Sequence, residues 1–493
     1  EEAVLPLVGT VMHRILLIVG SVNRRSSAQM KLNLVIPLLV LITSSLGAQT
    51  FIDVTAKSKL TGMAGGSAAW IDFNQDGHED LNVSNQVWIN NGDSTFRKLA
   101  DTGLAGSAVW ADINNDGYPD AMCWSGKGHL FLNQQGAALT NISDNLPDLP
   151  TTVSLAATMG DFNGDGLVDL YVGGYEGPGY LTDVMYFNQG SSVFKEVWRT
   201  KGTMMPARGI TTADYDEDGD LDIYVSNYRL VPNTLWNNDG QGKFTQVEKT
   251  AKVDGDGGLG AWGHTIGSSW GDLDNDGHLD LFVGNFSHPP AYQDRAKFLR
   301  NLGKEAAYVF DDRTANAGLA WQESFASPTL GDYDNDGLLD LYFTTVYGGD
   351  HCVLYRNAND FKFKDVTQTS GITADTTYQA AWGDYDNDGD LDLVTKGRLY
   401  QNNTPKKNFV QVKLVGTGVI DKMALGAQVR ITVGDRVHTR QVSSSTGQGN
   451  QNSSILHFGL GDYAGPLKAE VSWLGGKQTT TTLKLNCLNT IHP

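Results

Sequence analysis

The chain has 493 residues, 40% of them hydrophobic, which is enough for two or three domains with sizeable cores. Fifty-six acidic residues against 37 basic ones give a net charge of −19, so the chain lacks the basic footprint that nucleic-acid binding needs. The 57 glycines, with only 19% charged residues, point to a turn-rich β protein, and three scattered cysteines exclude a disulfide framework or a zinc knuckle.

Met30-Lys31 leads into an apolar run from Leu34 to Ile42 and then the small residues Ser44, Ser45, Gly47 and Ala48. A basic start, a short apolar core and small residues are the marks of a secretory signal peptide. The run falls short of the ~20 apolar residues of a membrane span. Residues 1–48 are therefore expected to be an upstream extension and signal peptide cut near Gly47–Ala48, leaving an exported remainder with no membrane span.

From there on one unit recurs. The string D-x-[DN]-x-D-G-x-x-D begins at Asp72, Asp112, Asp161, Asp214, Asp272, Asp332 and Asp384, at intervals of 40 to 60 residues. An apolar segment precedes each copy, as in Ala68-Ala69-Trp70, and a β-rich run such as Asp280-Leu-Phe-Val-Gly284 follows it. A third apolar stretch ends in Asn, as in Leu354-Tyr355-Arg356-Asn357, and a fourth strand such as Phe363-Lys-Asp-Val-Thr367 completes the unit. Four short strands per repeat make a propeller blade. The fourth-strand signature first appears at Phe51, ahead of the first acidic loop, and none follows Asn403. The N-terminal strand is therefore expected to complete the seventh blade and close the ring.

Within each nine-residue loop, positions 1, 5 and 9 are Asp and position 6 is Gly, which permits a sharp turn at positive φ. Position 3 is Asn in the first three loops and Asp in the last four. The candidate ligands are Asp72, Asn74, Asp76 and Asp80; Asp112, Asn114, Asp116 and Asp120; Asp161, Asn163, Asp165 and Asp169; Asp214, Asp216, Asp218 and Asp222; Asp272, Asp274, Asp276 and Asp280; Asp332, Asp334, Asp336 and Asp340; and Asp384, Asp386, Asp388 and Asp392. Alternating oxygen ligands around a glycine turn suit Ca²⁺, which takes 6–8 oxygens at ~2.3–2.6 Å, so up to seven Ca²⁺ are expected. Position 7 varies from His78 to Leu338, as expected where only its carbonyl is used. The loop is not an EF-hand, because position 12 is never Glu. The three loops with Asn carry one charge fewer and should bind more weakly.

These units resemble the FG-GAP/VCBS repeats of integrin α-subunit propellers and cartilage acidic protein-like secreted proteins, over roughly residues 51–403. The resemblance implies a seven-bladed propeller with calcium in its hairpin loops, serving adhesion or recognition. After Asn403, Gly426-Ala427, Gly447-Gln-Gly449, His457-Phe-Gly-Leu-Gly461 and Trp473 resemble an ASPIC/UnbV domain, although Trp473-Leu-Gly-Gly476 departs from the usual Trp-Pro-Ser-Gly. That segment carries ten basic and four acidic residues, leaving open whether it docks on the acidic propeller or faces outward. The expected architecture is all-β: a seven-bladed propeller over 49–403 closed by its N-terminal strand, then a small β-sandwich-like domain over 404–493.

Strand parity places the long insertions on the face opposite the acidic loops. They carry Arg208, Tyr228, Arg229, Trp262, His264, His288, Tyr292, Asp294 and Arg295. Arg, His and aromatic side chains on loops of a rigid scaffold suit an anionic or carbohydrate ligand. Gly267-Ser-Ser-Trp-Gly271 matches G-x-S-x-G, but on a propeller strand it lacks the strand–turn–helix of a hydrolase elbow. His457 is read as a satisfied strand histidine rather than a ligand. The leading expectation is an exported calcium-binding protein that binds an extracellular protein or glycan without catalysis. The alternative is a calcium-dependent carbohydrate-active enzyme, such as a polysaccharide lyase, working on the long-loop face.

Overall fold

The computed structural model describes residues 50–124, 129–147, 154–175, 182–201, 205–255, 262–288 and 294–493. The signal-peptide expectation, and Tyr292 with it, lie outside the described residues.

Seven four-stranded antiparallel sheets follow one another along the chain. In blade 1 the strands are Ala68–Ile71, Asp80–Val83, Gln86–Asn90 and Phe96–Lys98. The innermost strands of the next five blades are Ala108–Ala111, Ala157–Gly160, Ala207–Ala213, His264–Gly271 and Phe325–Gly331, and that of blade 7 is Ala381–Gly383. These seven strands neighbour one another in order around a ring, and the seventh lies beside the first. Phe51–Asp53 pairs antiparallel with Arg398–Asn402, so the N-terminal strand supplies the outer edge of blade 7, as the repeat phase requires. Closing the ring this way leaves no unpaired edge between first and last blades.

Packing between blades rests on large side chains meeting missing ones. Trp70 and Trp382 are both 1% exposed. A Cβ at Gly331 would press on the Trp382 indole, and one at Gly383 on Trp70. Glycine at these two strand ends lets the neighbouring blade's tryptophan approach the backbone.

A second device stitches the blades. The asparagine that ends each third strand, or in blade 4 follows it (Asn90, Asn133, Asn188, Asn238, Asn301, Asn357 and Asn402), gives its backbone N–H to the ninth-position aspartate of its own loop. Its Nδ2 donates to a backbone carbonyl of the preceding blade's loop, as in Asn357 to Leu273 O at 2.9 Å and Asn402 to Tyr333 O at 2.7 Å. All seven are buried. Asn357→Ala would leave two carbonyls, Leu273 O and Leu339 O, without that donor. The expected cost is about 2–3 kcal/mol, read by urea denaturation, and a change within ~0.5 kcal/mol would contradict the role.

The C-terminal segment forms two sheets. One has three strands, with Asn408–Leu414 between Leu456–Gly461 and a parallel Leu488–Ile491; the other has four, Arg436–Gln441, Gln428–Val433, Leu467–Ser472 and Gln478–Leu483. It docks on the acidic-loop face, which answers the question its charge left open. Val410, Val429 and Phe458 of this module share a core with Val109, Met159 and Leu170 of blades 2 and 3. Residues 47–493 accordingly form one compact unit.

Between its strands the module sends a polar tongue, Ser444–Ser453, into the centre of the ring. The tongue touches the inner strand, or its lead-in, in all seven blades. Gln451 N–H donates to Ala68 O in blade 1, and the Gln451 amide brackets Trp110 N and O in blade 2. Ser444 Oγ donates to Met159 O in blade 3, Ser445 Oγ to Ile210 O in blade 4, and Gly447 N to Ser268 O in blade 5. Gln448 N reaches Ser327 Oγ in blade 6, and Asn450 Nδ2 reaches Tyr378 O beside the inner strand of blade 7. The inner edges of a propeller present unpaired N–H and C=O groups to its axis. A serine-, asparagine- and glutamine-rich tongue satisfies them where an apolar one would not. Ser269 of the G-x-S-x-G string accepts a hydrogen bond from Thr446 here and is 4% exposed, so it is part of the plugged axis and no hydrolase elbow.

Candidate metal centres and the opposite face

Each acidic loop joins the first and second strands of its blade, and the ninth-position aspartate opens the second strand, as Ile71 opposite Asp80 shows in blade 1. The first-position aspartate is fixed by backbone donors. Asp332, for example, accepts Asp336 N on Oδ1 at 3.0 Å and Gly337 N on Oδ2 at 2.8 Å. In every loop the fifth-position Oδ1 accepts the seventh N–H and the ninth-position Oδ2 accepts the second N–H. The turn needs two left-handed residues, Gly at position 6 and the residue at position 4, such as Asn335 at φ 54°. The second of these is invisible in the loop consensus, because Asn tolerates that conformation without being required for it. Four position-4 asparagines also bind the next loop's glycine carbonyl, as Asn275 does Gly337 O at 3.0 Å and, across the closure of the ring, Asn387 does Gly77 O at 3.4 Å.

The carboxylates are held close and short of donors. Asp214, Asp216 and Asp218 have carboxylate oxygens within 4.8 Å of one another, as do Asp272, Asp274 and Asp276; Asp332, Asp334 and Asp336; and Asp384, Asp386 and Asp392. In these four loops the third-position Oδ1 (Asp216, Asp274, Asp334 and Asp386) is buried with no hydrogen-bond partner. Buried oxygens without donors are costly unless a cation takes them. Burial, reinforced by neighbouring aspartates, pushes the ninth-position carboxyls up: Asp80, Asp120 and Asp169 to about 8, and Asp222, Asp280, Asp340 and Asp392 well above the usual carboxylate range. A divalent ion among the oxygens reverses that penalty. The residues present therefore fit Ca²⁺. In the first three loops the third-position asparagine instead donates to the fifth aspartate, as Asn163 does to Asp165 at 3.0 Å.

Arginines flank two of the more acidic loops. Arg300 Nε lies 2.6 Å from Asp274, and Arg356 Nε 2.5 Å from Asp334, with its Nη2 on Asp336. Lys406 sits 2.6 Å from both Asp388 and Asp390 beside the seventh loop.

The module reaches the inner side of the same aspartates. Gln411 Nε2 donates to Asp384 Oδ2 at 2.7 Å, Thr439 N to Asp272 Oδ2 at 3.0 Å and Gly459 N to Asp332 Oδ2 at 3.1 Å, and Lys413 Nζ lies 3.3 Å from Asp72 Oδ2. In loop 4 the departing turn of the module matters, because Gly475 N donates to Gly219 O at 2.9 Å. His457 is buried, with Nε2 2.6 Å from Asn335 Oδ1 and Phe409 stacked over its ring. First-position carboxylates thus face the module through Oδ2.

On the other end of the ring, five of the expected face residues come together. Arg208 opens the inner region of blade 4, with Nη1 3.1 Å from Tyr175 OH and Nη2 3.1 Å from Tyr378 OH. Its guanidinium lies over three rings, Tyr228 at 5.1 Å, Tyr175 at 5.3 Å and Tyr378 at 5.6 Å. Arg229 lies 5.1 Å from the Tyr228 ring, His264 4.6 Å from it, and His288 5.2 Å from His264. His288 Nδ1 is 2.7 Å from Glu323 Oε1. Asp294 is buried and pairs instead with Lys297 at 2.9 Å, Arg295 lies over Trp321, and Trp262 bonds Asp254. Tyr175, Tyr347 and Tyr378 were missed by the sequence reading. The first two lie on loops of the same face, and Tyr378 stands just before the blade 7 inner strand, whereas Arg208 is the second residue of the blade 4 inner strand.

Burial lowers the His264 imidazole to about 4, with His288 and Arg229 adding to the shift. A depressed folded value means His264 must fold neutral. Its contribution to stability is complete above ~6.5 and is lost as pH falls from there toward 4. Nitrogen-detected NMR is expected to show a neutral His264 ring from pH 8 to pH 5, and an ordinary midpoint near 6.5 would contradict the burial.

A closed ring of four-stranded sheets with an acidic turn in each blade defines a propeller built from acidic-hairpin repeats. FG-GAP-like repeats match at residues 72–123, 112–172, 161–225 and 332–395, and an ASPIC and UnbV domain matches at 420–491. The chain carries FG-GAP-like repeats and ends in an ASPIC/UnbV domain. It is similar to cartilage acidic protein 1 of Mus musculus, 22% identical over 67% of this chain and 53% of that protein, and of Xenopus tropicalis, 24% identical over 58% and 44%. The chain thus spans about half the length of the curated relatives it matches. Among solved structures it resembles the V. cholerae biofilm matrix protein Bap1, at 11% identity, a TM-score of 0.30 and coverage of 85% of this chain and 61% of that one. Among the described residues no helix is long and apolar enough to cross a membrane, which says nothing of β-barrels.

Proposed function

We propose that this is an exported calcium-binding protein that recognises an extracellular protein or glycan through its long-loop face and performs no catalysis. Export is supported by the leader-like run from Leu34 to Ile42. The observation that carries the calcium assignment is the third-position oxygen left buried without a donor in each of the four loops with Asp there. When bound, Ca²⁺ supplies charge neutralisation and a fixed oxygen geometry. The loop residues at positions 1, 3, 5 and 9 hold it, and the module's donors keep the first-position carboxylates oriented. The same chemistry ranks the sites. Loops 4 to 7, with four carboxylates, should fill before loops 1 to 3, where Asn74, Asn114 and Asn163 replace one charge.

Isothermal titration of chelator-stripped protein tests both statements. Seven equivalents are expected in two groups, four tighter and three weaker. Asp334→Asn is expected to move one site from the tighter group to the weaker. A titration showing no calcium binding, or one unaffected by Asp334→Asn, would contradict the assignment.

The closeness of His264, His288, Arg208 and Arg229 favours a second reading, a lyase acting on an acidic polysaccharide. Appearance of unsaturated-uronate absorbance on incubation with uronate polymers would favour the enzyme. Binding without product favours the recognition protein.

A further inference from the structure

We propose that the Arg208 cage is a carboxylate-recognition site for an acidic glycan, a polysaccharide bearing uronate residues. This rests on the reading that the long-loop face is where ligand binds, and gives that ligand a chemistry.

The cage holds a cation that no described carboxylate neutralises. Among the described residues no carboxylate pairs with Arg208, and its Nε is buried without a hydrogen-bond partner. Its other two nitrogens donate to the oxygens of Tyr175 and Tyr378. Each of those hydroxyls therefore keeps its own hydrogen to give, and a carboxylate accepts such hydrogens. The cage thus presents two O–H donors backed by a half-buried guanidinium whose Nε is shut off from solvent, with Arg229 over the same Tyr228 ring. A half-buried cation flanked by rings and, among the described residues, without a carboxylate partner gains from an anion that can reach it through such donors. Glu323, the nearby carboxylate, is turned onto His288 at 2.7 Å.

The backbone supports the placement. Arg229 and Leu230 are consecutive non-glycine residues at φ 68° and 58°, a conformation that side chains of their kind rarely adopt and that clusters at ligand clamps.

The surroundings favour a sugar over an acidic peptide. Beyond the cage runs a continuous aromatic surface, Tyr228 to His264 to His288 to Tyr347, the last two stacked at 5.8 Å and 20°. Tyr347 is 38% exposed. Aromatic faces stack on the C–H faces of pyranose rings, and a carboxylate on the same ring then falls to the cage. The residues come from blades 3 to 7 and sit over the axis, above the tongue whose Asn450 holds Tyr378 O. An extended polymer laid across the axis meets all of them.

The test uses the full chain in calcium, with trigalacturonate, its methyl ester, the neutral galactose trimer and hexaglutamate as calorimetric probes. Trigalacturonate is expected to bind with a Kd in the millimolar range or tighter, and the other three at least tenfold more weakly. Arg208→Met is expected to lose at least tenfold in affinity at an unchanged melting temperature. Should that variant fail to fold, the double change Tyr175→Phe and Tyr378→Phe, which removes only the two hydroxyls, is expected to lose at least threefold. Equal binding of the ester or of hexaglutamate, no binding of trigalacturonate, or indifference of both variants overturns the proposal. A neutral glycan found on an array whose binding is lost in Arg208→Met overturns the carboxylate assignment while leaving the face as the binding surface. A verified ligand indifferent to Arg208→Met and Tyr228→Ala overturns the face itself.

Discussion

Stripping divalent ions with excess chelator is expected to lower the melting temperature by about 10 °C and to make the segment after Asn403 sensitive to protease. A site with a Kd of ~10⁻⁴ M in ~1 mM calcium stabilises the folded state by about 1.4 kcal/mol. Seven such sites together contribute on the order of 10 kcal/mol, comparable to the whole stability of an ordinary domain. For a fold of this length the entropy of unfolding is about 0.9 kcal/mol per degree, which converts that loss to about 10 °C. Protease sensitivity follows from the double use of the first-position aspartates. Asp272, Asp332 and Asp384 turn Oδ2 to the module at 3.0, 3.1 and 2.7 Å, so a loop whose carboxylates spring apart loses the module's anchor as well. Differential scanning calorimetry and limited trypsin digestion with and without chelator check both halves. A melt unchanged within ~1 °C would remove calcium from the structural account.

Gly447→Val is the second large effect. Gly447 stands at φ 58°, and a Cβ there would overlap Ser327 Oγ and press on Pro328 O at 2.9 Å. Its N–H donates to Ser268 O at 2.7 Å, so the tongue has no room to retreat without losing that bond. Overpacking costs roughly 1–3 kcal/mol, and a β-branched residue forced to positive φ adds a similar amount. A total of about 3–5 kcal/mol is expected in chemical denaturation, with part of the protein insoluble on expression. Ser445→Ala is the mild control: it removes one donor to Ile210 O and should cost about 1–2 kcal/mol. Equal, small effects of the two substitutions would show that the tongue is only loosely held in the ring.

The parts of this fold that were legible in the sequence are those whose chemistry is local. An Asp, Gly and Asp at fixed spacing serve one turn, so seven copies reveal seven hairpins, and the orphan fourth strand at Phe51 reveals the closure. The recurrent Asn at the end of the third strand was visible too, but its bond to the preceding blade, as Asn402 makes with Tyr333 O, depends on how blades are staggered. The tongue was not legible. Ser444 to Ser453 has the composition of an exposed loop, and it is buried because the ring's inner edges offer it backbone partners, which no periodicity records. The direction in which the basic module docks was likewise undecided by its charge. Five of the nine residues named for the opposite face converge, because the ends of the inner strands, which carry Arg208 and His264, and the loops that leave them crowd toward the axis. Asp294 and Arg295 belong to the same insertion but turn to Lys297 and Trp321. Tyr175 and Tyr378 were passed over, since a loop tyrosine carries no signal until an arginine is found against it.

The most direct measurement of the central claim is an anomalous difference map from crystals grown in millimolar calcium. Seven peaks are expected, one in each acidic hairpin, ~2.3–2.6 Å from oxygens of positions 1, 3, 5 and 9. Well-ordered loops without anomalous density, with Asp216, Asp274, Asp334 and Asp386 satisfied by water or by Arg300 and Arg356 alone, would contradict it.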